Sequence, residues 1–589
     1  GSPISDPKSG KILGIHSAGN SLVGFGKLVS RELIGLDTVP QSFSFKTELD
    51  HELTKADVIS NLVTGTVVSD LNPERSSVPF VCHKNMSPLL KLGNYFPRAP
   101  VRSELVRSRM YGTFPPTGRK PASLSGSSNM WTNIYEGYCA NDSFMDSDLL
   151  ERVIDDYVSV YKSLPESEET LYPVWNFEES IKGWTDRDGV VYGGLVMSTS
   201  AGYPFNVLNY PKKSSVIDLP HNHPVYREFE DAYFKMLERA KGGKPPVVIF
   251  SDFPKDELRS KEKSDGEFTR GISGSNMSFG VLCNSYFGAF NRRFFETRIH
   301  NDSTLGINEH SAEWDFLTRR LCRFEEESME PMLIDIDFKA FDKSHSTQMI
   351  MASIMVINRI INDSDENQRV RAAIGTAIAH SFHVNSTGFI MSWKGGMPSG
   401  HPLTSVINTI IGSLLIRSFY YRYRPSEFSK IPYVQAISAV HNGDDCLIHP
   451  HPTVREWFTY TALKEHLCVL GYRVTRSDKD SDHNGLNSLW EVEYLKRRFE
   501  WSYDLGRFVA PLSMDTLVDM IHYGPRKKHT EVMYEKIDSA FREVFFHGRA
   551  IFEEFTSAVV EKWKSKYGLE ARINPNWNYS YYLDYYRDE

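Results

Sequence analysis

The sequence predicts an α+β protein of several subdomains, with its chemistry on a strand-rich middle and a helical C-terminal part. Three observations lead there. The chain's 589 residues exceed what one ordinary core covers, so roughly three or four domains or subdomains are expected. Its middle holds two β-rich runs, Pro331–Phe338 (PMLIDIDF) and Ala436–His449. From Met514 to about Tyr567 the apolar positions, Leu517, Val518 and Ile521 among them, fall at helical spacing.

Along the chain, residues 1–41 read as a separate piece with two short apolar runs, Ile12–Ile15 and Ser21–Phe25. Residues 102–130 are rich in Arg, Pro, Gly and Ser and read as loop or extended arm. A helix-like stretch, Tyr226–Ala240, is broken at Lys241–Pro246 (KGGKPP), and a strand-like Val247–Phe250 follows. Pro331–Phe338 predicts a strand and Thr347–Ile361 a buried helix. Leu403–Ile416 falls short of the roughly 18 uninterrupted apolar residues of a membrane span. Thr404, Ser405, Asn408, Thr409 and Ser413 interrupt it and Arg417 ends it, so it reads as a buried helix. Asn442-Gly443 between two apolar runs is a hairpin signal. The last residues, Asn576–Glu589, are aromatic and need a surface to pack on.

Apolar residues make up 40% and charged residues 24%, a balance that excludes a disordered or collagen-like chain. With 67 basic and 75 acidic side chains the net charge is −8. That excludes a uniformly basic nucleic-acid coat but not a local basic channel. The six cysteines are scattered without a CxxC. Neither a disulfide framework nor a structural zinc site is expected, and a reducing compartment fits. His449 and His451 read as loop histidines rather than metal ligands. The N-terminus lacks the apolar core of a signal peptide.

Aspartates close both central runs: Asp335, Asp337 and Asp342 in DIDFKAFD, and Asp444 and Asp445 in NGDD. An ionised carboxylate beside an apolar strand is costly unless it is paired or binds a metal. Turn chemistry alone accounts for a lone Gly-Asp-Asp. Joined to an upstream strand ending in D-x-x-x-x-D, it points to phosphoryl or nucleotidyl transfer with two Mg²⁺ ions. Such ions sit about 3.5–4 Å apart, want hard oxygen ligands, and clamp the attacking and leaving oxygens. Asp337 and Asp444 are the expected bridging ligands. Asp445, next along the strand, should point elsewhere and play a supporting part.

In this order, with a glycine-rich segment between them, the acidic motifs resemble motifs A, B and C of viral RNA-dependent RNA polymerases, above all the picornavirus-like group. Ser198–Phe205 (STSAGYPF) resembles motif G, and Lys255–Lys263 with Thr269-Arg270 resembles motif F. Gly395–Asn408 resembles motif B, and Ser477–Lys479 and Leu495–Arg497 resemble motifs D and E. The Ser-Gly-His-Pro-Leu-Thr wording of motif B leans towards iflaviruses or dicistroviruses. There are two departures: Asn442 stands where the family usually has Tyr, and Phe268 where relatives often carry Lys.

The resemblance covers about 42–580 and implies a right-hand polymerase. Fingers would span 42–290 and 373–398. The palm, an antiparallel sheet backed by helices, would span 291–372 and 399–502, and the thumb 503–589. It makes Arg270 a phosphate fork, with Lys255, Arg259 and Lys263 lining the channel. Read without it, this stretch, with Asp256, Glu257, Glu262, Asp265 and Glu267 interleaved, is a solvated charged surface. Asp342, Ser399, Thr404 and Asn408 would select ribose by hydrogen bonds to the 2′-hydroxyl, or else form a helix cap with mutually satisfied polar groups. Thr199, Ser200, Lys496 and Arg497 would meet template and primer. Lys479 would protonate the leaving pyrophosphate; a plain loop lysine accounts for it equally well.

The same resemblance implies two Mg²⁺ ions, with Mn²⁺ as an alternative. Implied partners are RNA template and primer, NTPs, a uridylylated small protein primer and other viral replication proteins. It implies replication of a positive-strand RNA virus in the host cytoplasm, at virus-induced membranes reached through partners and without an intrinsic span. Gly14–Asn20 (GIHSAGN) resembles a segment near the C-terminus of picornaviral chymotrypsin-like cysteine proteases, so 1–41 is expected to be a protease remnant ending at Gln41–Ser42. No Gly-x-Cys-Gly nucleophile exists in the chain, so these residues cannot be a working protease. The rival functions are a catalytically silent RNA-binding scaffold and a reverse transcriptase, the latter opposed by Asp342 and Asn408.

Overall fold

The computed structural model describes residues 3–5, 12–17, 25–28 and 53–587, apart from 99, 101, 165–171, 186–190, 326–329, 477–484, 528, 569–572 and 575. The chain divides into two compact units, Gly1–Thr54 and Lys55–Glu589. The first holds a three-stranded antiparallel sheet, Pro3–Ser5, Ile12–Ser17 and Phe25–Leu28, in that order. The apolar run Ile12–Ile15 lies in its middle strand. The expected Gln41–Ser42 junction lies outside the described residues, and the break between units falls after Thr54.

The second unit is built on two main sheets. The larger runs Gly271–Gly274, Ile249–Pro254, His380–Val384, Phe389–Lys394, Met86–Leu92, Val68–Asp70. Its one parallel pair, Ile249–Pro254 with His380–Val384, joins segments far apart in sequence. The helix before the first of these, Pro224–Lys241, stops at Gly242, and the strand resumes at Ile249, as the Lys241–Pro246 break predicts. Inside this sheet Ser381, His383 and Asp252 form a hydrolase-like series, with contacts of 2.8 and 2.9 Å. All three are at most 2% exposed and Tyr135 also donates to Asp252, so no substrate reaches them. The network satisfies buried polar groups.

The smaller sheet carries the acidic motifs. Met332–Phe338 is central, flanked antiparallel by Asp445–Pro450 and Val474–Thr475, with Ile437–Asn442 beyond Asp445–Pro450. Two helices back it. Thr347–Ile361 starts at Ser346, whose hydroxyl accepts from Met349 N at 3.3 Å, and ends at left-handed Asn362. Thr404–Tyr423 is buried without a break from Val406 to Tyr420. A helix buried on all sides belongs inside a core, with its polar side chains paired there. Here it packs in the core shared by both sheets, and among the described residues no helix is long and apolar enough to cross a membrane.

The C-terminal region has its own core, built from the helices Met514–His522, His529–Val544, Arg549–Tyr567 and Tyr579–Arg587. The aromatic tail finds its surface there: Tyr579 and Tyr586 pack on Phe545, at 4.8 and 5.3 Å between ring centres. Two expectations are corrected. The helical run is interrupted by a strand, Tyr523–Pro525, which pairs with Leu105–Arg107. Residues 102–130 are therefore more than loop; they hold that strand, the strand Arg119–Pro121 and the start of the helix Ser128–Tyr135. Ser108 Oγ donates to Ile521 O at 2.7 Å and Thr117 Oγ1 to Asp519 at 2.6 Å, fixing the arm to the C-terminal region. His449 is likewise no loop residue. It lies buried on the strand Asp445–Pro450, 3.4 Å from Glu325, while His451 caps the turn that follows.

Candidate active site

Met332–Phe338 is buried on both faces from Leu333 to Ile336, Asp335 included, and again at Phe338, while Asp337 is exposed. Cross-strand register sets Asp337 directly opposite Asp445 and Asn442 opposite Asp445 on the other side. The hairpin loop is thus only Gly443-Asp444, tighter than the NGDD turn expected from sequence. Gly443 takes φ +65°, the conformation that favours glycine at the first central position of such turns. Its N–H donates to Thr409 Oγ1 at 3.0 Å, so a helix side chain grips the turn. Replacing Thr409 with isosteric valine should leave that donor without its acceptor. The expected cost is about 1 kcal/mol of stability, read by thermal denaturation.

Asp445 departs from expectation. Directly opposed residues of an antiparallel pair share a face of the sheet. Burial, then the charges of Asp444 and Asp337, push the Asp445 carboxyl up to about 6. Three carboxylates therefore crowd one strand end, which is the donor set a hard divalent cation requires. Among the described residues no three His, Cys, Asp or Glu side chains close into a cage. An open set suits Mg²⁺, which takes one or two carboxylates and completes its shell with water and substrate phosphates.

A pH dependence follows. Because the folded pKa of Asp445 is raised, its ionisation costs stability above about pH 6. That cost disappears as pH falls through the folded value towards the unfolded one. A bound cation would offset the cost and must displace the proton. Mg²⁺ should therefore raise the melting temperature at about pH 7.5 and lose that effect near pH 5. Equal Mg²⁺ shifts at both pH values would count against the cation assignment.

Support beneath the hairpin comes from Asn442, whose Nδ2 donates to Thr304 O and Oγ1 at 3.3 and 3.2 Å. Asn442, at the position where the resemblance expects Tyr, thus holds the turn by hydrogen bonds. Deeper, the fully buried Arg417 donates to Asp156 and to Asp302, at 2.8 Å each. Asp302 O in turn accepts from His441 N at 2.8 Å, one residue before Asn442.

The motif F cations converge on Glu257, an acid read from sequence only as part of a mixed run. Arg270 Nε donates to it at 2.6 Å and its Nη2 makes a second bond; Lys255 and Arg259 pair with it at 3.5 and 3.6 Å. Glu257 gathers three like charges that would otherwise repel. Arg270 stays 57% exposed and within electrostatic reach of Asp444 and Asp342. Lys263 is exposed on the short helix Lys261–Asp265, and Phe268, in place of a lysine, is half exposed and carries no charge.

Asp342 and Asn408 meet: Asn408 Nδ2 donates to Asp342 Oδ1 at 2.6 Å. Burial is the main reason the Asp342 carboxyl rises to about 6, helped by Asp444 and opposed by the Asn408 bond, Arg270 and Lys255. Ser399 Oγ accepts from Ser273 N at 3.3 Å, tying motif B to the strand after Arg270. Gly400 allows that approach, since a Cβ there would lie 2.4 Å from Ser273 O. Thr404 Oγ1 donates to His401 O and Pro398 O, within its own turn. Thr199 and Ser200 are exposed on a loop that Gly202 packs against Ser275. Lys496 is exposed. Arg497 is not: it is 7% exposed, with both terminal guanidinium nitrogens on Glu543 at 2.7 and 2.8 Å. Its expected primer contact is replaced by a tie to the helix His529–Val544. Lys479 lies outside the described residues.

Thr409 and His345 carry no local signal in the sequence, because each is defined by a partner distant along the chain.

Residues 185–564 match the family model described as viral RNA-dependent RNA polymerase. The chain belongs to that family. Among curated relatives, the Drosophila C virus (strain EB) replicase polyprotein is 26% identical over 491 residues, 78% of this chain and 27% of the relative. The Cricket paralysis virus replicase polyprotein is 24% identical over 583 residues, 92% of this chain and 32% of the relative. Both are dicistrovirus proteins, the branch that the motif B wording favoured together with iflaviruses. The chain spans about a third or less of the length of these curated relatives. Its fold is that of a Sicinivirus 3Dpol RNA-dependent RNA polymerase, with a TM-score of 0.69, 20% identity, and coverage of 84% of this chain and 98% of that one. The chain therefore has the α+β right-hand architecture expected from the motifs. The family match begins at residue 185 and lends no support to a protease remnant at 1–41.

Proposed function

We propose that this chain is the RNA-directed RNA polymerase of a positive-strand RNA virus, adding ribonucleotides to a primer 3′-hydroxyl with release of pyrophosphate. The observation that carries the reading is the convergence of Asp337, Asp444 and Asp445 at one strand end, with Arg270 and Lys255 in electrostatic reach of Asp342. Asp337 and Asp444, with Asp445, would hold divalent cations, Mg²⁺ or alternatively Mn²⁺. When bound, these supply charge stabilisation to the attacking and leaving oxygens. Arg270 meets the triphosphate, aimed by Glu257, and Lys255, Arg259 and Lys263 line its approach. Asp342 and Asn408 recognise the ribose; Ser399 and Thr404 shape the loop that presents Asn408. Thr199, Ser200 and Lys496 lie towards the nucleic acid, and Lys479 is the proton donor to pyrophosphate.

Fingers, palm and thumb follow the boundaries implied by the motifs, with the larger sheet in the fingers and the acidic sheet in the palm. RNA template and primer and NTPs are the substrates. A small protein primer and other replication proteins are partners in the host cytoplasm, where partners bring the enzyme to membranes. A silent RNA-binding scaffold would not need the crowded carboxylates, whose mutual repulsion is a cost without a cation. The test is primer extension on an RNA homopolymer with Mg²⁺, comparing ribonucleotides with deoxynucleotides. RNA binding without extension would favour the scaffold, and equal use of both nucleotides would remove the ribose reading.

A further inference from the structure

Asn408 does not stand alone behind Asp342. His345 lies 1% exposed, with Nε2 2.9 Å from Asn408 Oδ1 and Nδ1 3.1 Å from the hydroxyl of Tyr472, itself 1% exposed. The chemistry of these groups fixes the direction of every bond. An ionised Asp342 only accepts, so Asn408 must turn its NH₂ towards it. Asn408 Oδ1 then faces His345 and only accepts, so Nε2 carries the hydrogen. A neutral imidazole has one N–H, so Nδ1 accepts and the Tyr472 hydroxyl donates. The ring is held for this, with Phe341 edge-on at 4.4 Å. Gly396 N, at the start of the same Gly395–Asn408 segment, donates to His345 O at 2.8 Å. A flipped Asn408 amide would set Oδ1 against Asp342 Oδ1, acceptor against acceptor, and its NH₂ against the His345 N–H.

We propose that His345, oriented by Tyr472, is a positioning residue for nucleotide selection: it locks the Asn408 amide with its N–H donors towards Asp342 and the ribose 2′-hydroxyl. This rests on the reading of Asp342 and Asn408 as ribose contacts. An asparagine amide has two nearly isosteric orientations, and only one offers a donor to the sugar. Without His345 the orientation would be set by Asp342 alone, and any ligand or protonation that weakens that bond would release it.

The experiment is single-nucleotide primer extension on an RNA template, reading the ratio of kcat/KM for a ribonucleotide to that for its deoxy analogue. Asn408→Ala calibrates the assay. His345→Leu should lower the ratio about tenfold, the scale of one buried hydrogen bond to a specificity group. Tyr472→Phe should lower it less, since it frees the imidazole to change tautomer without removing it. His345→Gln should restore it, because a glutamine amide can donate to Asn408 and accept from Tyr472. A merely structural histidine would lose rate equally for both sugars and would not be rescued by glutamine. If Asn408→Ala lowers the ratio and His345→Leu does not, the positioning role is overturned while the ribose reading stands. If Asn408→Ala leaves the ratio unchanged, both fall. Should His345→Leu fail to fold, Tyr472→Phe decides: an unchanged ratio there overturns the proposal.

Discussion

Asp444→Ala is expected to abolish nucleotide addition, by about 10³-fold or more, while the protein folds at least as well as before. The two halves of this expectation have one origin. Asp444 sits at the tip of a two-residue loop and its charge raises the pKa of both Asp445 and Asp342. Removing it relieves that repulsion, so the melting temperature without metal should stay level or rise. It also removes an exposed carboxylate from the proposed cation site. Loss of activity together with loss of stability would instead make Asp444 a turn residue. Extension at near the parent rate would end the metal assignment.

Arg417→Leu should cost more stability than any surface change, about 3–5 kcal/mol. Its guanidinium is fully buried between Asp156 and Asp302, over the ring of Tyr433 at 4.2 Å. Leucine fills part of the volume but leaves two carboxylates with no counter-charge. Breaking one side of a buried pair is worse than never having it. The segment released, 302–304, hydrogen-bonds to His441 beside the Gly443-Asp444 hairpin, so primer extension should fall with stability. Urea denaturation measures the first and primer extension the second. A change within about 1 kcal/mol would mean that water takes over the guanidinium's role.

The strands and helices of the middle were legible because their signals are local. Apolar runs at 331–338, 347–361 and 403–416 and the Asn-Gly of the hairpin each carry their own pattern, and each element is present. Asp337 and Asp444 could be picked out because acidic residues interrupt those runs. What escaped depends on register and on contacts across the fold. Asp445 shares a face with Asp337 through strand pairing, which no single strand reveals. Arg497 looks like a nucleic-acid contact until Glu543, 46 residues on, claims it. The strand Leu105–Arg107 was hidden in a Pro- and Gly-rich stretch because the strand it pairs with, Tyr523–Pro525, lies in the C-terminal region.

That last pairing sets a schedule for making the protein. Ser108 and its partner Ile521 are 413 residues apart, so the arm emerges from the ribosome long before the surface it joins. At synthesis rates of about 5–20 residues per second the wait is roughly 20–80 s. Through that interval the strand Leu105–Arg107 has an open edge, the kind of edge that invites pairing with another chain. The bridge between arm and C-terminal region is therefore among the last contacts to form, and the arm needs shielding until then. A chain truncated before Tyr523 would keep that edge open permanently, so its yield, rather than its chemistry, should be the first thing to suffer.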